Sequence, residues 1–353
     1  MKRIFITGGS GFIGSTLIRE LLKNDSSISV LNFDLLTYAG NNESLREIAQ
    51  LPNYTFVHGD IADEKLLSEV IDKFCPDVVY HLAAESHVDR SIDDAGPFLH
   101  SNVIGTFTVL NVILRYWQRL SREQANLFRL LHISTDEVYG SLGEGGIFTE
   151  VTRYDPHNPY SATKAAADHL VRSWFYTYGL PVLITNCSNN YGPYQNPEKL
   201  IPKMIISAIA GKPLTIYGDG RNIRDWLFVE DHVDALVRVM SSGRIGETYN
   251  IGGENQHSVI ETALMICDLL DRKKPITDGK NYSDLISFVS DRLGNDFRYA
   301  VDVTKLRSEF GWNQKYNFNS GLEKTVDWYL ENEWWWKTIK IWQAPNVVKN
   351  SLR

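Results

Sequence analysis

The chain has 353 residues, 43% of them hydrophobic and 22% charged, and is long enough to bury the cores of two domains. A formal net charge of −7 argues against nucleic acid as a partner, and no apolar run approaches the roughly 20 residues that a membrane span needs. We predict no metal site, because the three cysteines are scattered and the nine histidines lack zinc-binding spacing. We predict a cytoplasmic protein, because scattered cysteines are typical of a reducing compartment and the N-terminus reaches glycines too early for a signal peptide.

The first half of the chain alternates strand-like and helix-like patterns. The apolar runs RIFITG, SVLNFD, TFVHGD, DVVYHLAA and LLHIST are separated by amphipathic stretches such as DEKLLSEVIDKF. This alternation predicts an α/β fold, a Rossmann-type doubly wound parallel sheet with helices on both faces. After residue 187 Pro and Gly become frequent. We therefore predict a first domain over 1–187 and a smaller C-terminal α/β domain over 188–353, with some segments returning to the first.

Four glycines lie between the first predicted strand and helix, in FITGGSGFIGS. Gly9, Gly11 and Gly14 fit the pattern G-x-G-x-x-G. Gly8, Gly11 and Gly14 fit the related pattern G-x-x-G-x-x-G. Such glycines permit a tight turn and close approach of a pyrophosphate, to which the helix N-terminus offers N–H groups. A kinase-like P-loop is excluded, because Ser15 stands where lysine is needed.

An acidic residue follows the glycine loop at the distance expected of a dinucleotide site. Asp34 lies twenty positions after Gly14, at the end of the next predicted strand. A carboxylate there bonds the ribose hydroxyls of NAD and repels the 2′-phosphate of NADP. The alternative is a structural glycine turn with an unrelated acid. The combination favours NAD as the cofactor and the first domain as its binding domain.

A tyrosine and a lysine lie one helical turn apart in NPYSATKAAADHL. Asn158 or Pro159 is predicted to begin the helix, with Tyr160 and Lys164 on one face. A neighbouring ammonium and a nicotinamide cation would lower the pKa of the tyrosine until it acts as a base. The pattern alone is common by chance, but behind a dinucleotide fingerprint it predicts a catalytic pair.

Two adjacent carboxylates follow the predicted strand FRLLHIS. Asp136 and Glu137 come directly after Thr135, where the strand leaves the core. Buried carboxylates neutralise or find partners, and two carboxyls with opposite duties need pKa values pushed apart by their surroundings. We predict catalytic carboxylates, with Ser134 or Thr135 bonding the hydroxyl that Tyr160 deprotonates. The alternative is a pair of loop charges.

Together these motifs resemble those of the extended short-chain dehydrogenases/reductases that act on nucleotide sugars. The resemblance runs almost end to end, through TGGSGFIG, FDLLTYAGN, GDI, HLAAESHVDRS, STDEVYG, YSATK, NCSNNYGPYQNPEKLIP, GDGRNIRDWLFVEDH and NIGG. The Asp–Glu pair after the threonine is typical of the 4,6-dehydratase branch. The resemblance implies a homodimer formed through helices around 100–115 and 160–177, and a nucleotide sugar as the substrate.

The implied reaction is dehydration of a nucleotide-activated hexose, with dTDP-glucose as the expected substrate. A UDP- or CDP-hexose is the alternative, and an NAD-binding regulator without turnover is the less favoured one. In the implied mechanism Tyr160 takes the 4-hydroxyl proton while NAD receives the C4 hydride, and Lys164 lowers the pKa of that tyrosine. Glu137 removes the C5 proton, and a protonated Asp136 gives its proton to the departing C6 hydroxyl.

The resemblance also implies contact positions. For the cofactor these are Gly8, Gly11, Phe12, Ile13, Gly14, Asp34, Thr37, Asp60, Ile61, Leu82, Ala83, Ala84, Tyr160 and Lys164. For the substrate they are Ser86, Asn189, Glu198, Lys199, Leu200, Arg224, Asn255, Arg292 and Asn295. The arginines are expected on the diphosphate, which they bind through paired hydrogen bonds. Gln195, Leu293 and Asn295 depart from the family pattern. These departures bear on which nucleotide base or sugar the substrate carries, and not on the type of reaction.

The C-terminal stretch ENEWWWKTIKIWQAPNVVKNSLR is aromatic and basic. We predict a helix that packs Trp334–Trp336 on the surface or against a neighbour.

Overall fold

A seven-stranded parallel sheet lies at the centre of the computed structural model, which describes residues 2–276, 279–291 and 293–339. The strands are β1 (Arg3–Thr7), β2 (Ser29–Asp34), β3 (Tyr54–His58), β4 (Val78–His81), β5 (Arg129–Thr135), β6 (Val182–Cys187), β7 (Asn189–Tyr191), β8 (Leu214–Tyr217), β9 (Ile223–Phe228), β10 (Thr248–Ile251), β11 (Gln256–Ser258) and β12 (Ile286–Val289). The helices are α1 (Phe12–Asn24), α2 (Glu64–Phe74), α3 (Val88–Asp93), α4 (Gly96–Phe98), α5 (Thr106–Trp117), α6 (Arg122–Leu127), α7 (Pro159–Tyr178), α8 (Leu200–Ile209), α9 (Val229–Ser242), α10 (Val259–Lys273), α11 (Thr304–Phe310), α12 (Phe318–Glu331) and α13 (Glu333–Trp336).

The central strands lie in the order β10-β6-β5-β4-β1-β2-β3. The chain adds β2 and β3 on one side of β1 and then crosses to add β4, β5, β6 and β10 on the other side. In doubly wound sheets a ligand binds where the strand order reverses in this way, in the crevice beyond the carboxyl ends of the strands. The ends of β1 and β4 meet there, because Thr7 pairs with His81 in register. The predicted fold class, a Rossmann-type doubly wound α/β sheet, is confirmed.

Side chains of the sheet alternate between two apolar layers. On one face Ile4 and Ile6 pack with Leu17 of α1 and Val239 of α9. On the other face Phe5 of the same strand packs with residues of α2, α5 and α7. Each such fully buried side chain contributes about 1.5–3 kcal/mol. The central strands are therefore buried on both faces, as parallel strands require.

The second half of the chain contributes to both this core and another. β10 pairs with β6 at the edge of the central sheet, and α9 covers one face of it. A separate apolar core forms from α8, α10 and α12 with Ile216 and Trp226. Two small sheets, β11-β9-β7 and β12-β8, accompany this second core. The second half of the chain is therefore divided between the central sheet, to which it adds β10 and α9, and this second core.

Residues 96–117 form one helical segment of 22 residues, through α4, a π-helical stretch and α5. By length and composition alone, this segment is long and apolar enough to cross a membrane. The prediction that no apolar run approaches that length is therefore wrong. About half of its apolar window, 56%, is buried inside the protein, where Leu110 and Ile113 pack against Phe5. Packing in the core accounts for the buried part of its apolar surface.

Candidate active site

The glycine loop lies closely against the end of β4. Gly8 has φ +72°, and a Cβ there would lie 2.6 Å from the backbone nitrogen of Ala83. A Cβ on Gly14 would lie 2.3 Å from the carbonyl oxygen of Gly8. Among the described residues, no side chain caps the start of α1, which begins after Gly11. The loop therefore forms a cradle of backbone at a helix N-terminus, the arrangement that binds a pyrophosphate.

A cavity opens above this loop and collects every residue predicted to contact the cofactor. Its lining includes Gly8, Gly11, Phe12, Ile13, Gly14, Asp34, Thr37, Asp60, Ile61, Leu82, Ala83, Ala84, Tyr160 and Lys164. Asp34 accepts hydrogen bonds from the backbone nitrogens of Ser10 (2.9 Å) and Leu36 (2.7 Å). Burial raises the pKa of Asp34, although these two bonds oppose the shift. The cradle and the carboxylate together fit the pyrophosphate and a ribose of NAD.

A second cavity adjoins the first and reaches into the C-terminal half. Of the predicted substrate contacts, it is lined by Ser86, Asn189, Glu198, Lys199, Leu200, Arg224 and Asn295. Glu137 lines both cavities. Asn255 does not line either cavity, because its side chain donates to the Gly253 carbonyl (2.6 Å) and holds a loop. Arg292 lies outside the described residues.

The predicted catalytic residues meet where β5 ends beside the first turns of α7. Asn158 caps this helix by accepting from the Ser161 nitrogen at 2.9 Å, and Pro159 follows in the first turn, as predicted. The Lys164 ammonium donates to the carbonyl oxygen of Ile133 on β5 at 2.8 Å. These contacts fix the tyrosine–lysine pair of α7 against the strand that leads to Thr135.

A short 3-10 turn carries the two carboxylates. The Thr135 hydroxyl accepts from the backbone nitrogen of Glu137 at 3.3 Å and begins this turn. Asp136 is 1% exposed, and its Oδ2 atom has no hydrogen-bond partner among the described residues. Asp136 does not line either cavity, whereas Glu137 lines both. The two neighbours therefore occupy different surroundings.

These surroundings shift the pKa values of the catalytic groups. Burial, then the adjacent Glu137 and Asp225, raise the pKa of Asp136 well above its usual range. Burial, then Glu137, also raise the pKa of Tyr160, and a hydrogen bond with Thr135 opposes this. Burial lowers the pKa of Lys164. Asp136 and Tyr160 are thus held protonated by their burial.

The protein groups by themselves raise the pKa of Tyr160, whereas the prediction relied on Lys164 and a bound nicotinamide together to lower it. We expected Lys164 to lower the pKa of the tyrosine, but its ammonium is committed to the Ile133 carbonyl. Desolvation of the phenolate therefore outweighs any attraction to the lysine. The protein groups alone do not make Tyr160 a base near neutral pH, and the remaining cation in the predicted scheme is the nicotinamide.

A buried polar network that sequence reasoning missed connects α7 to β5. Asp168, one turn beyond Lys164, accepts from the Ser134 hydroxyl (2.9 Å) and the Tyr154 hydroxyl (2.8 Å), and contacts His132 at 3.1 Å. Burial opposes ionisation of Asp168, but these hydrogen bonds and the nearby Lys164 lower its pKa. A negative charge is therefore retained beneath the catalytic corner. Its only sequence signal was the i+4 spacing from the lysine.

The substrate cavity also includes residues to which the sequence analysis gave no role. Trp226 and Tyr299 line it, as do Asn190 and Lys203. The Arg224 guanidinium lies 4.7 Å from the centroid of the Tyr299 ring. Aromatic side chains thus accompany the arginine and provide flat surfaces beside it. Among the described residues, no three His, Cys, Asp or Glu side chains are grouped to hold a metal ion.

Comparison with known proteins gives a consistent result. The family model described as GDP-mannose 4,6 dehydratase matches residues 5–325. A dTDP-glucose 4,6-dehydratase of Neisseria meningitidis is 54% identical over 342 residues, which are 96% of this chain and 96% of that protein. The crystal structure of the Bacillus anthracis dTDP-glucose 4,6-dehydratase in complex with NAD is 44% identical, with a TM-score of 0.85, over 96% of this chain and all of that one. The Streptomyces venezuelae dTDP-glucose 4,6-dehydratase, crystallised with NAD bound, is 41% identical with a TM-score of 0.87 and the same coverage.

The chain belongs to the dTDP-glucose 4,6-dehydratase family. Of its departures from the family pattern, Gln195 and Asn295 line the substrate cavity that Glu137 also lines. Gln195 lines both cavities and donates to the Asn190 carbonyl at 2.7 Å. Asn295 accepts from Arg224 at 3.1 Å, and Leu293 is exposed. In this dehydratase chain the departures therefore affect the walls of the substrate cavity and leave the catalytic corner intact.

Proposed function

We infer that the protein catalyses the NAD-dependent dehydration of dTDP-glucose to dTDP-4-keto-6-deoxyglucose, a hydro-lyase reaction. The observation that carries this inference is the position of Glu137, which lines both the cofactor cavity and the substrate cavity. A base placed there faces the sugar ring next to the redox centre. The relatives and solved structures of the same family support the reaction and the cofactor.

Residues of the first cavity hold the cofactor. The glycine loop would bind its pyrophosphate, Asp34 would bond a ribose, and Lys164 would hold the nicotinamide ribose. When bound, NAD supplies a reversible hydride acceptor for C4 and donor for C6, together with a positive charge near Tyr160. We propose residues 1–187 as the NAD domain and 188–353 as mainly the substrate domain, because the second half has its own apolar core.

The reaction depends on making the C5 hydrogen acidic. Oxidation of C4 to a ketone does so, because the carbanion formed at C5 is then an enolate. Thr135 hydrogen-bonds the 4-hydroxyl, and Tyr160 takes its proton as the hydride leaves C4. Glu137 then removes the C5 proton, and Asp136 gives its proton to the C6 hydroxyl, which departs as water. Return of the hydride to C6 and of the proton to C5 completes the 4-keto-6-deoxy product, and transfer of the Tyr160 proton through solvent to Asp136 restores both groups for the next turnover.

Two adjacent carboxyls perform opposite duties because their surroundings differ. Burial and the charges of Glu137 and Asp225 keep Asp136 protonated, as a general acid requires. Glu137 faces the cavities, where it is available as a base. The same separation of duties by environment occurs wherever two carboxyls share one reaction.

The direct test is turnover of candidate nucleotide sugars. We expect kcat/KM for dTDP-glucose to exceed that for UDP-glucose and CDP-glucose, with a 4-keto-6-deoxy product identified by mass and NMR. A wide preference for UDP-glucose or CDP-glucose would be consistent with the dehydratase reaction but would contradict the proposed thymine nucleotide. Absence of a 4-keto product from all three would reject the function.

Loss of the Asp34 carboxylate should weaken NAD retention. Asp34→Ala removes the ribose ligand and the acceptor for the Ser10 and Leu36 nitrogens. We expect a weaker NAD affinity and a smaller preference for NAD over NADP, since the repulsion of a 2′-phosphate is also lost. Equilibrium dialysis with each nucleotide measures both. Unchanged values for the two nucleotides would show that Asp34 is structural.

A homodimer in the cytoplasm is proposed from the surface of the protein. Leu99, Ile104 and Phe107 of the 96–117 segment are exposed apolar residues, and so are Tyr176 and Tyr178 of α7. The two elements adjoin, because Phe107 packs edge-on against a tryptophan of α7 at 5.8 Å. One apolar surface therefore spans both predicted interface helices. The three free cysteines support a reducing compartment.

A charge within this surface should prevent dimerisation. We expect Phe107→Glu to halve the mass measured by light scattering, because an unpaired carboxylate would be buried between the subunits. Leu127→Glu, at an exposed position of α6, is the matched control and should leave the mass unchanged. A dimer that persists in Phe107→Glu would place the interface elsewhere.

A further inference from the structure

The prediction that Trp334–Trp336 pack on the surface is wrong for Trp335 and Trp336, which are buried, whereas Trp334 is exposed. Four residues, Trp328, Tyr329, Trp335 and Trp336, form what we call the C-terminal aromatic cluster. Tyr329, Trp335 and Trp336 are buried. Trp328 and Trp335 both pack on Tyr194, with ring centroids 4.4 and 5.6 Å away. The segment thus belongs to the interior, beside a loop that precedes α8.

One hydrogen bond joins the cluster to the first half of the chain. The indole nitrogen of Trp335 donates to the Ser44 hydroxyl at 3.0 Å, and both residues are buried. Ser44 lies in a 3-10 turn capped by Asn41, whose backbone nitrogen donates to the Ser10 carbonyl at 2.9 Å. The Ser10 nitrogen in turn donates to Asp34 at 2.9 Å. A continuous set of contacts therefore runs from Trp335 to the ribose ligand.

A second path of hydrogen bonds reaches another segment of the cavity wall. The Tyr329 hydroxyl donates to the Gln195 carbonyl, and the Trp336 indole donates to the Tyr329 carbonyl at 2.9 Å. The neighbouring Asn196 donates to the Tyr38 carbonyl at 3.2 Å. Gln195 and Asn196 line the cofactor cavity. The cluster thus supports two wall segments that also contact each other.

We propose that the C-terminal aromatic cluster holds residues 38–44 and 194–196 in the positions that retain NAD. Its members are positioning residues, which act through Ser44 and Gln195. Walls ordered before binding spare the ligand the entropy cost of ordering them, so a loosened wall lowers affinity without removing a ligand contact. The proposal rests on NAD being the cofactor.

The test removes one donor and keeps the aromatic ring. Trp335→Phe deletes the indole N–H that reaches Ser44, and Trp334→Phe is the matched control, since Trp334 is exposed. We expect Trp335→Phe to raise the Kd for NAD by about two- to tenfold, the range that one net hydrogen bond supplies. The rise of Tm on adding NAD should shrink accordingly, and kcat at saturating NAD should change little. Equilibrium dialysis of nucleotide-stripped protein measures the Kd.

The partner variant separates positioning from simple stability. Ser44→Ala removes the acceptor without altering any ring, and it serves also if Trp335→Phe fails to fold. We expect Ser44→Ala to weaken NAD binding similarly, and the double variant to be no weaker than the worse single one. A lower Tm with parental Kd in both single variants would overturn the proposal, because a merely structural role changes stability and not native-state affinity. If the unsubstituted protein bound no NAD, the assignment of NAD as the cofactor would be wrong instead.

Discussion

Tyr160→Phe is expected to abolish the first oxidation and with it the whole reaction. The substitution keeps the ring, which packs edge-on with Phe98 at 6.4 Å, and removes only the hydroxyl that takes the 4-hydroxyl proton. Loss of a general base costs about 100- to 10,000-fold, so kcat should fall by at least this factor. Because Tyr160 acts before any C5 chemistry, no reduced cofactor should appear on mixing with dTDP-glucose. Absorbance of reduced nicotinamide in a single turnover measures this directly.

The control for Tyr160→Phe lies on the same helix. Tyr178→Phe removes a hydroxyl from an exposed ring at the far end of α7 and should leave the single turnover unchanged. Reduced cofactor that forms at the parental rate in Tyr160→Phe would show that another group takes the C4 proton.

The raised pKa of Tyr160 sharpens this expectation. A phenol buried beside Glu137 does not ionise near neutral pH through protein groups alone. Tyr160 can take the 4-hydroxyl proton only as a phenolate, so the proposed mechanism requires the positive charge of the bound nicotinamide to favour that form. Sequence reasoning placed the tyrosine and the lysine on one face, but spacing carries no information on how far desolvation outweighs a neighbouring ammonium.

The fold was predictable where its signals are local. Strands β1 to β5 show as short apolar runs separated by amphipathic helices, and the glycines between β1 and α1 mark the ligand crevice. β10 was not predictable as an edge of the same sheet, because its pairing of Thr248 with Ile184 joins residues far apart in the chain. The apolar helix 96–117 was underestimated for the same reason, since its burial depends on partners elsewhere.

The candidate site divides in the same way. Cofactor residues follow the carboxyl ends of successive strands, so a motif reading places them together correctly. Asn255 was predicted to contact the substrate, yet its side chain is used by the loop backbone. Asp168 and Trp335 are invisible to motifs, because their roles arise from contacts 36 and 291 positions away. Tertiary packing alone decides which polar side chains remain available to a ligand.

Glu137→Gln and Asp136→Asn should stop the reaction at two different points after C4 oxidation. Each amide keeps the shape of its carboxyl and removes one proton transfer, so each should lower kcat by about 100- to 10,000-fold. In Glu137→Gln the base is lost, so reduced cofactor should accumulate and deuterium from solvent should not enter C5. In Asp136→Asn the base remains, so C5 should still exchange while water is not expelled from C6.

The exchange of deuterium into C5 is the measurement that separates the two carboxyls. It is read by mass spectrometry of recovered dTDP-sugar, beside the absorbance of reduced nicotinamide in the same sample. Equal C5 exchange in both variants would show that Glu137 is not the base, and full turnover of Asp136→Asn would show that Asp136 is not the acid. The expected contrast follows from exposure, because Glu137 faces both cavities while Asp136 is buried with its pKa raised. The buried Asp136 therefore stays protonated until it donates to the departing C6 hydroxyl. Glu137, which lines both cavities, accepts the C5 proton that the C4 ketone has made acidic.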